Sequence, residues 1–191
     1  MYYIVGLGNP GKEYENTRHN TGRMFVEFFC KKQKFDDFKI DKKTLSLKTE
    51  GKAGKEKITC FLPETFMNKS GLALKKIVTS KKSAKKLIVV HDDLDLALAN
   101  YKISFGKGSA GHKGVESVMA AVKTKDFYRI RIGISPACAG RPATPKGKLK
   151  KPKGEKKVLD FLMGKFKPKE MAVLKTIMEE AGKDVEKIMG A

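Results

Sequence analysis

Three histidines, His19, His91 and His112, are the only imidazoles in this 191-residue sequence, and imidazole is the side chain whose unperturbed pKa suits proton transfer near neutral pH. None of them sits at the HExxH spacing or the His/Cys spacing that marks a zinc site. A metal mechanism is therefore not expected, and nothing calls for a cofactor. Each histidine falls in a loop or at the expected C-terminal end of a strand, among polar neighbours: Thr17-Arg18-His19-Asn20, His91-Asp92-Asp93 and Gly111-His112-Lys113. The C-terminal edges of strands are where α/β sheets gather their sites. His91, preceding Asp92 on an apolar run, reads as a structural histidine. His19 has the strongest claim to chemistry, with Asp92 and Asn9 next.

Other chemistries lack their parts. Gly8-Asn9-Pro10-Gly11 has neither the glycine spacing of a dinucleotide fingerprint nor the Lys-Ser/Thr of a phosphate-binding loop; taken alone it reads as a tight turn in which Asn9 bonds local backbone. No GxSxG elbow follows a strand, so a serine nucleophile is not supported. What remains is a histidine, a carboxylate at Asp92, and amides at Asn9, Asn20 and Asn68. Those suit water activated by a His-Asp pair, with amides holding a carbonyl and no covalent intermediate.

The elements that must carry these groups alternate between strand and helix. Tyr2 to Leu7 reads as a buried strand entering the glycine turn, and Gly22 to about Gln33 as a helix with Met24, Phe25, Phe28 and Phe29 on one stripe. Residues 39–50 and 56–62 read as two strands around a glycine turn, and 70–80 as a helix. Lys86 to Asp92 is the clearest central strand, because its apolar run Leu87–Val90 is continuous, as when both faces of a sheet are covered. A strand at 101–105, a helix at 114–123 and an alternating strand at 128–134 follow. Ser135 to Lys157 holds Pro136, Pro142, Pro145 and Pro152 among lysines and glycines and reads as a mobile basic loop. The chain from about Lys157 is helical, with Met171, Leu174, Met178, Ala181, Val185 and Ile188 recurring on one face of a terminal helix at about 168–189. The interleaving favours a mixed α/β sandwich.

The length suits one domain. Apolar residues at 40% and charged residues at 32% are ordinary for a globular protein. Against 21 Asp and Glu stand 41 Lys and Arg, a formal charge of +20, which attracts polyanions and makes a nucleic acid the expected partner. Cys30, Cys60 and Cys138 form no CxxC pair and read as buried, reduced thiols. That usage fits a reducing cytosol, and with no apolar run long enough for a bilayer the expectation is a cytoplasmic protein without membrane contact.

Four blocks then carry a resemblance. Ile4-Val5-Gly6-Leu7-Gly8-Asn9-Pro10-Gly11 with Tyr14-Glu15-Asn16-Thr17-Arg18-His19-Asn20-Thr21-Gly22, then Thr65-Phe66-Met67-Asn68-Lys69-Ser70-Gly71, then His91-Asp92-Asp93-Leu94-Asp95-Leu96, and finally Phe127-Tyr128-Arg129-Ile130-Arg131-Ile132-Gly133-Ile134 resemble, in order and spacing, the bacterial-type peptidyl-tRNA hydrolases. The resemblance implies an α/β fold, a single-domain mixed twisted sheet flanked by helices in a three-layer sandwich. It implies hydrolysis of the ester between a peptide and the terminal ribose of tRNA, recycling tRNA from stalled or aborted translation. By position it makes His19 the general base and Asp92 the group that orients it. Asn9, Tyr14, Met67, Asn68, His112 and Lys113 would surround peptide and CCA end. Lys113 stands where the family usually has an asparagine, and Ser104 where it usually has a second basic residue, so Lys102, Lys107 and Arg131 are left to grip the tRNA phosphate at the acceptor stem. DNA is not an expected partner. The terminal helix shows no sustained heptad seam, so a monomer is expected. The alternative is a relative that keeps the fold and binds RNA without hydrolysis; the presence of His19, Asp92, Asn9 and Asn68 speaks against it.

Overall fold

The structure is a computed structural model, and it describes residues 1–136, 149 and 151–190. Seven strands form one sheet: β1 (Tyr2–Gly6), β2 (Lys39–Asp41), β3 (Ser46–Ala53), β4 (Glu56–Pro63), β5 (Leu87–Ala97), β6 (Tyr101–Phe105) and β7 (Tyr128–Ser135). Their order across the sheet is β2-β3-β4-β1-β5-β7-β6. The middle four run parallel, while β2 and β3 on one edge and β6 on the other are antiparallel to their neighbours. Helices α1 (Thr21–Lys32), α2 (Lys81–Ala84), α3 (Lys113–Val122), α4 (Glu155–Met163) and α5 (Pro168–Met189) flank the sheet. The mixed sheet with helices about it is the single-domain α/β fold expected.

Two cores explain the layering. On one side Ile4, Ile88, Val90 and Ile130 pack under α1 and α5, through Phe25, Phe29, Leu174 and Met178. On the other, Val5, Leu7, Leu87 and Val89 meet Val115 and Val118 of α3. Successive strand residues point to opposite faces, so the unbroken run Leu87–Val90, wholly inaccessible to solvent, feeds both cores. Each such side chain stabilises the fold by about 1.5–3 kcal/mol.

One close approach sets the position of the site. A Cβ on Gly22 would lie 2.1 Å from the Val90 carbonyl oxygen and 2.8 Å from that of Leu7, so only glycine lets α1 start against the end of β1 and Val90 of β5. Arg23 N–H then donates to Leu7 O, and Leu7 N–H to Val90 O, both at 3.0 Å. The turn just before α1 is thereby laid against Val90 of β5, two residues before Asp92.

Two expectations are corrected. Residues 39–50 are not one strand: Lys43 N–H and the Thr44 hydroxyl both donate to the Asp41 carboxylate, and Leu45 takes a positive φ of 49°, so the chain turns back and splits into β2 and β3. Residues 70–80 are not an α-helix. A 3-10 helix spans Met67–Ala73, where Gly71 N–H donates to the Ser117 hydroxyl of α3 and a Cβ would stand 2.1 Å from Ser117 O, and regular α-helix returns only at Lys81, behind the Ser80–Ser83 capping box. The C-terminal stretch, read as helical from about Lys157, is helical from Glu155 and is broken once: Gly164 ends α4, and Pro168, at the first helical position, starts α5, which spans the 168–189 expected for the terminal helix. Of the segment read as a basic loop, residues 137–148 and 150 lie outside the described residues, as does Cys138, while Cys30 and Cys60 are buried free thiols. Among the described residues no helix is long and apolar enough to cross a membrane.

Candidate active site

The loop after β1 is pinned by one side chain. Asn20 accepts from Asn9 N–H at 2.8 Å and donates to Asn9 O at 2.9 Å, satisfying both backbone groups of a buried residue. The Asn9 side chain is left to reach across the sheet, where its Oδ1 accepts from Met67 N–H at 2.8 Å. The reading of Asn9 as a residue bonding only its own turn is therefore wrong, because its partner lies 58 positions away. With Oδ1 engaged, the Asn9 amide nitrogen remains as a pair of N–H donors.

Asp92, buried near the end of the apolar run of β5, receives two histidines. His19 Nδ1 lies 3.0 and 3.1 Å from its two carboxylate oxygens, and His112 Nε2 lies 3.0 Å from Oδ1. A carboxylate only accepts, so both nitrogens carry protons. The second nitrogen of His112 accepts from Val115 N–H at 3.3 Å, capping α3. His19 is thus left with Nε2 as its basic nitrogen, and among the described residues that atom has no hydrogen-bond partner. Burial pulls the His19 pKa down, but the Asp92 charge and hydrogen bond outweigh it and set it above the ordinary histidine value. Burial pushes the Asp92 carboxyl up, yet His19 and His112 hold it far below the usual carboxylate range.

His91 completes the cluster from behind. Its Nδ1 donates to Asp92 O at 2.7 Å, Arg129 approaches its Nε2 at 3.5 Å, and its ring meets that of His112 edge-on at 4.7 Å. Burial, the nearby His112 and the Arg129 guanidinium hold its pKa well below the ordinary value, so it stays neutral. Arg129 is itself buried, donates to Gly108 O at 2.8 Å and forms no ion pair with a carboxylate among the described residues. It fixes the loop that delivers His112.

These groups open onto a cavity of about 310 Å³ whose floor is His19, Asp92, Asp93 and His112 and whose wall includes Val158, Leu159 and Leu162 of α4. His19, Asp92 and His112 also bring possible metal-ligand atoms within 4.8 Å of one another, a grouping invisible in their spacing along the chain.

The family model for peptidyl-tRNA hydrolase matches residues 3–191. The chain belongs to the peptidyl-tRNA hydrolase family. It is 37% identical over 176 residues to the peptidyl-tRNA hydrolase of Mycoplasma capricolum subsp. capricolum, covering 92% of this chain and 86% of that one. It is likewise 37% identical over 190 residues to the peptidyl-tRNA hydrolase of Caldanaerobacter subterraneus, covering 99% and 93%. The crystal structure of peptidyl-tRNA hydrolase from Acinetobacter baumannii superposes with a TM-score of 0.81 at 28% identity, over 98% of this chain and 88% of that one.

The other residues picked out for this peptidyl-tRNA hydrolase family site are placed unevenly around it. Met67 is buried and hydrogen-bonded to Asn9, whereas its neighbour Phe66 is 60% exposed. Asn68 is exposed at the start of the 3-10 helix, and Tyr14 is half-buried in the turn before Thr17. Lys113 is exposed and lies 3.4 Å from Glu116. Lys102 and Arg131 are cross-strand partners in register with His91, and Lys107 is exposed on the following loop. Arg131 is not a free cation, because its Nε binds Asp93 Oδ2 at 2.5 Å. Asp93 also accepts from Asp95 N–H, so it is Asp93 that orders this loop, while the Asp95 carboxylate turns out to Lys151. Sequence reading missed the roles of Asn20 and Arg129, whose partners lie 11 and 21 residues away and carry no motif.

Proposed function

We propose that this chain hydrolyses the ester of peptidyl-tRNA by water activated at His19. The observation that carries the reading is the His19–Asp92 pair: Nδ1–H is committed to the carboxylate, which leaves Nε2 basic at the cavity. Water bound there gives its proton to Nε2 as its oxygen attacks the ester carbonyl carbon. The resulting imidazolium is stabilised by Asp92, and the negative charge developing on the carbonyl oxygen is met by amide N–H donors, for which the side chains of Asn9 and Asn68 are the candidates. Collapse breaks the bond to the terminal ribose oxygen, and that oxygen takes the proton back from His19. Peptide and tRNA are released, with no covalent intermediate and no metal.

The remaining residues would hold the substrate. Tyr14, Met67, His112 and Lys113 surround the ester and CCA end, and Lys102, Lys107 and Arg131 neutralise phosphates of the acceptor stem. A monomer in the cytoplasm is the expected working form. An RNA-binding relative without catalysis is not favoured, because the buried hydrogen-bonded pair of His19 and Asp92 beside a cavity is what water activation needs. The test is release of tRNA from an N-blocked peptidyl-tRNA by the purified protein and by His19→Ala. The wild type should turn over and the folded variant should retain almost nothing; undiminished hydrolysis by His19→Ala would sink the mechanism.

A further inference from the structure

Arg18, the residue before His19, is buried and points away from the catalytic pair. Its Nη1 donates to the carbonyls of Gly164 and Lys165 at 3.2 and 3.1 Å, and its Nη2 to both carboxylate oxygens of Glu170 at 3.0 Å. The guanidinium carbon lies 4.5 Å from the centre of the Phe161 ring and 5.2 Å from that of Phe166. Backbone bonds repeat the contact: Arg18 N–H donates to Gly164 O and Phe166 N–H to Asn16 O, both at 3.0 Å, and Thr17 bridges Lys165. The turn carrying His19 is therefore stitched to the α4–α5 junction. By contrast, α4 buries none of its own residues, although Val158, Leu159 and Leu162 form a wall of the catalytic cavity.

We infer that Arg18 is a positioning residue for the hydrolysis, setting the α4 wall at a fixed distance from His19 so that both meet the same substrate. The inference rests on the hydrolase reading above. Only arginine fills the place, since the planar fork serves two carbonyls and a carboxylate while its face lies against Phe161. A lysine keeps the charge for Glu170 but offers one point donor and no planar face. The His19–Asp92 pair is also held from β5, through the hydrogen bond to Asp92, and by the start of α1 against Leu7, so loosening α4 should weaken substrate capture more than the protonation chemistry.

The experiment compares wild type, Arg18→Lys and Glu170→Gln in steady-state hydrolysis of peptidyl-tRNA across pH, with rates normalised to the folded fraction, and follows amide hydrogen exchange in residues 155–163. Arg18→Lys should raise KM by roughly tenfold, as expected when charged hydrogen bonds are lost, with little change in kcat and no move in the acid limb of the pH profile. Exchange in α4 should quicken while that of β5 does not. Glu170→Gln, which keeps an oxygen for Nη2, should show a smaller rise. A hydrolysing Arg18→Lys protein with wild-type KM, or one that loses kcat alone, overturns the positioning role. A wild type without hydrolysis overturns the catalytic reading first.

Discussion

Changing Asp92 to Asn keeps the size of the side chain and removes its charge, at the point where two N–H groups converge. Asp92 accepts from His19 at 3.0 and 3.1 Å and from His112 at 3.0 Å. Both histidines reach the same oxygen, Oδ1, and an amide oxygen there has two lone pairs, so it can still accept from both while carrying no charge and setting an NH2 in the Oδ2 place, 3.1 Å from His19 Nδ1. If the NH2 takes the Oδ1 place instead, it meets His112 Nε2, and that ring must give up its proton there and place it toward Val115 N–H. A hydrogen bond to a charged group contributes about 1.5–3 kcal/mol, and 1.36 kcal/mol corresponds to a decade in rate, so kcat/KM should fall by roughly 10- to 150-fold. The pH profile adds a second readout. The working form of His19 is neutral, and Asp92 raises its pKa against the pull of burial, so wild-type activity should decline as pH falls through a midpoint above the ordinary histidine value of about 6.5. In Asp92→Asn only burial remains, and the midpoint should move to lower pH. Measuring kcat/KM on peptidyl-tRNA from about pH 5 to 9 tests both. A wild-type rate, or a slower enzyme with an unmoved midpoint, would show that Asp92 is not the partner that tunes His19.

Hydrolysis should survive exhaustive chelation, because the proposed step needs only water, His19 and Asp92; activity lost to a chelator and restored by one divalent ion at the His19–Asp92–His112 group would overturn this. Arg131→Ala should raise KM for full-length peptidyl-tRNA far more than for a minimal ester without the tRNA body, and should lower the salt dependence of tRNA binding by about one counterion. Since Arg131 also holds Asp93, equal losses on both substrates would assign it to the site's framework instead. Gly22→Ala places a Cβ 2.1 Å from Val90 O, an overpacking that costs about 1–3 kcal/mol and should lower Tm by several degrees, at roughly 2–4 °C per kcal/mol; an unchanged melting curve would mean that α1 is free to move off β5.

The sheet was readable where burial leaves a simple pattern. Leu87–Val90 is apolar without alternation because both cores claim it, and that alone placed β5 near the centre. The reading failed where side chains, rather than periodicity, decide the backbone. Asp41 turns the chain by accepting from Lys43 and Thr44, and nothing in the residues 39–50 distinguishes that from a strand without knowing that Ser46 pairs with Pro63. Gly71 was read into a helix, but its contact with Ser117 of α3 selects the tighter 3-10 form. The candidate site divides the same way. His19, Asp92 and Asn9 could be proposed from residue type and from ordered blocks matching a family, whereas the gathering of His112 onto the same carboxylate joins positions 20 residues apart with β6 between them.

The basic residues show most sharply why composition and site diverge. A charge of +20 suggests a surface made for phosphates, and the alternation Tyr128-Arg129-Ile130-Arg131 ordinarily marks a strand with one solvated face. Yet Arg129 is 2% and Arg18 8% exposed, and Arg131 is paired with Asp93. A buried guanidinium loses several kcal/mol of hydration unless fixed partners replace it; Arg18 finds a carboxylate, two carbonyls and aromatic faces, while Arg129 finds a carbonyl and a histidine held neutral. Both are therefore tied to the groups around the catalytic cluster, Arg18 through α4 and Arg129 through His91 and the loop before His112. Arg18 and Arg129 thus build the site, while under the proposed reading the polyanion is met by Arg131 and by exposed lysines such as Lys102 and Lys107, and removing either lysine should change the salt dependence of binding without touching the rate of the bound complex.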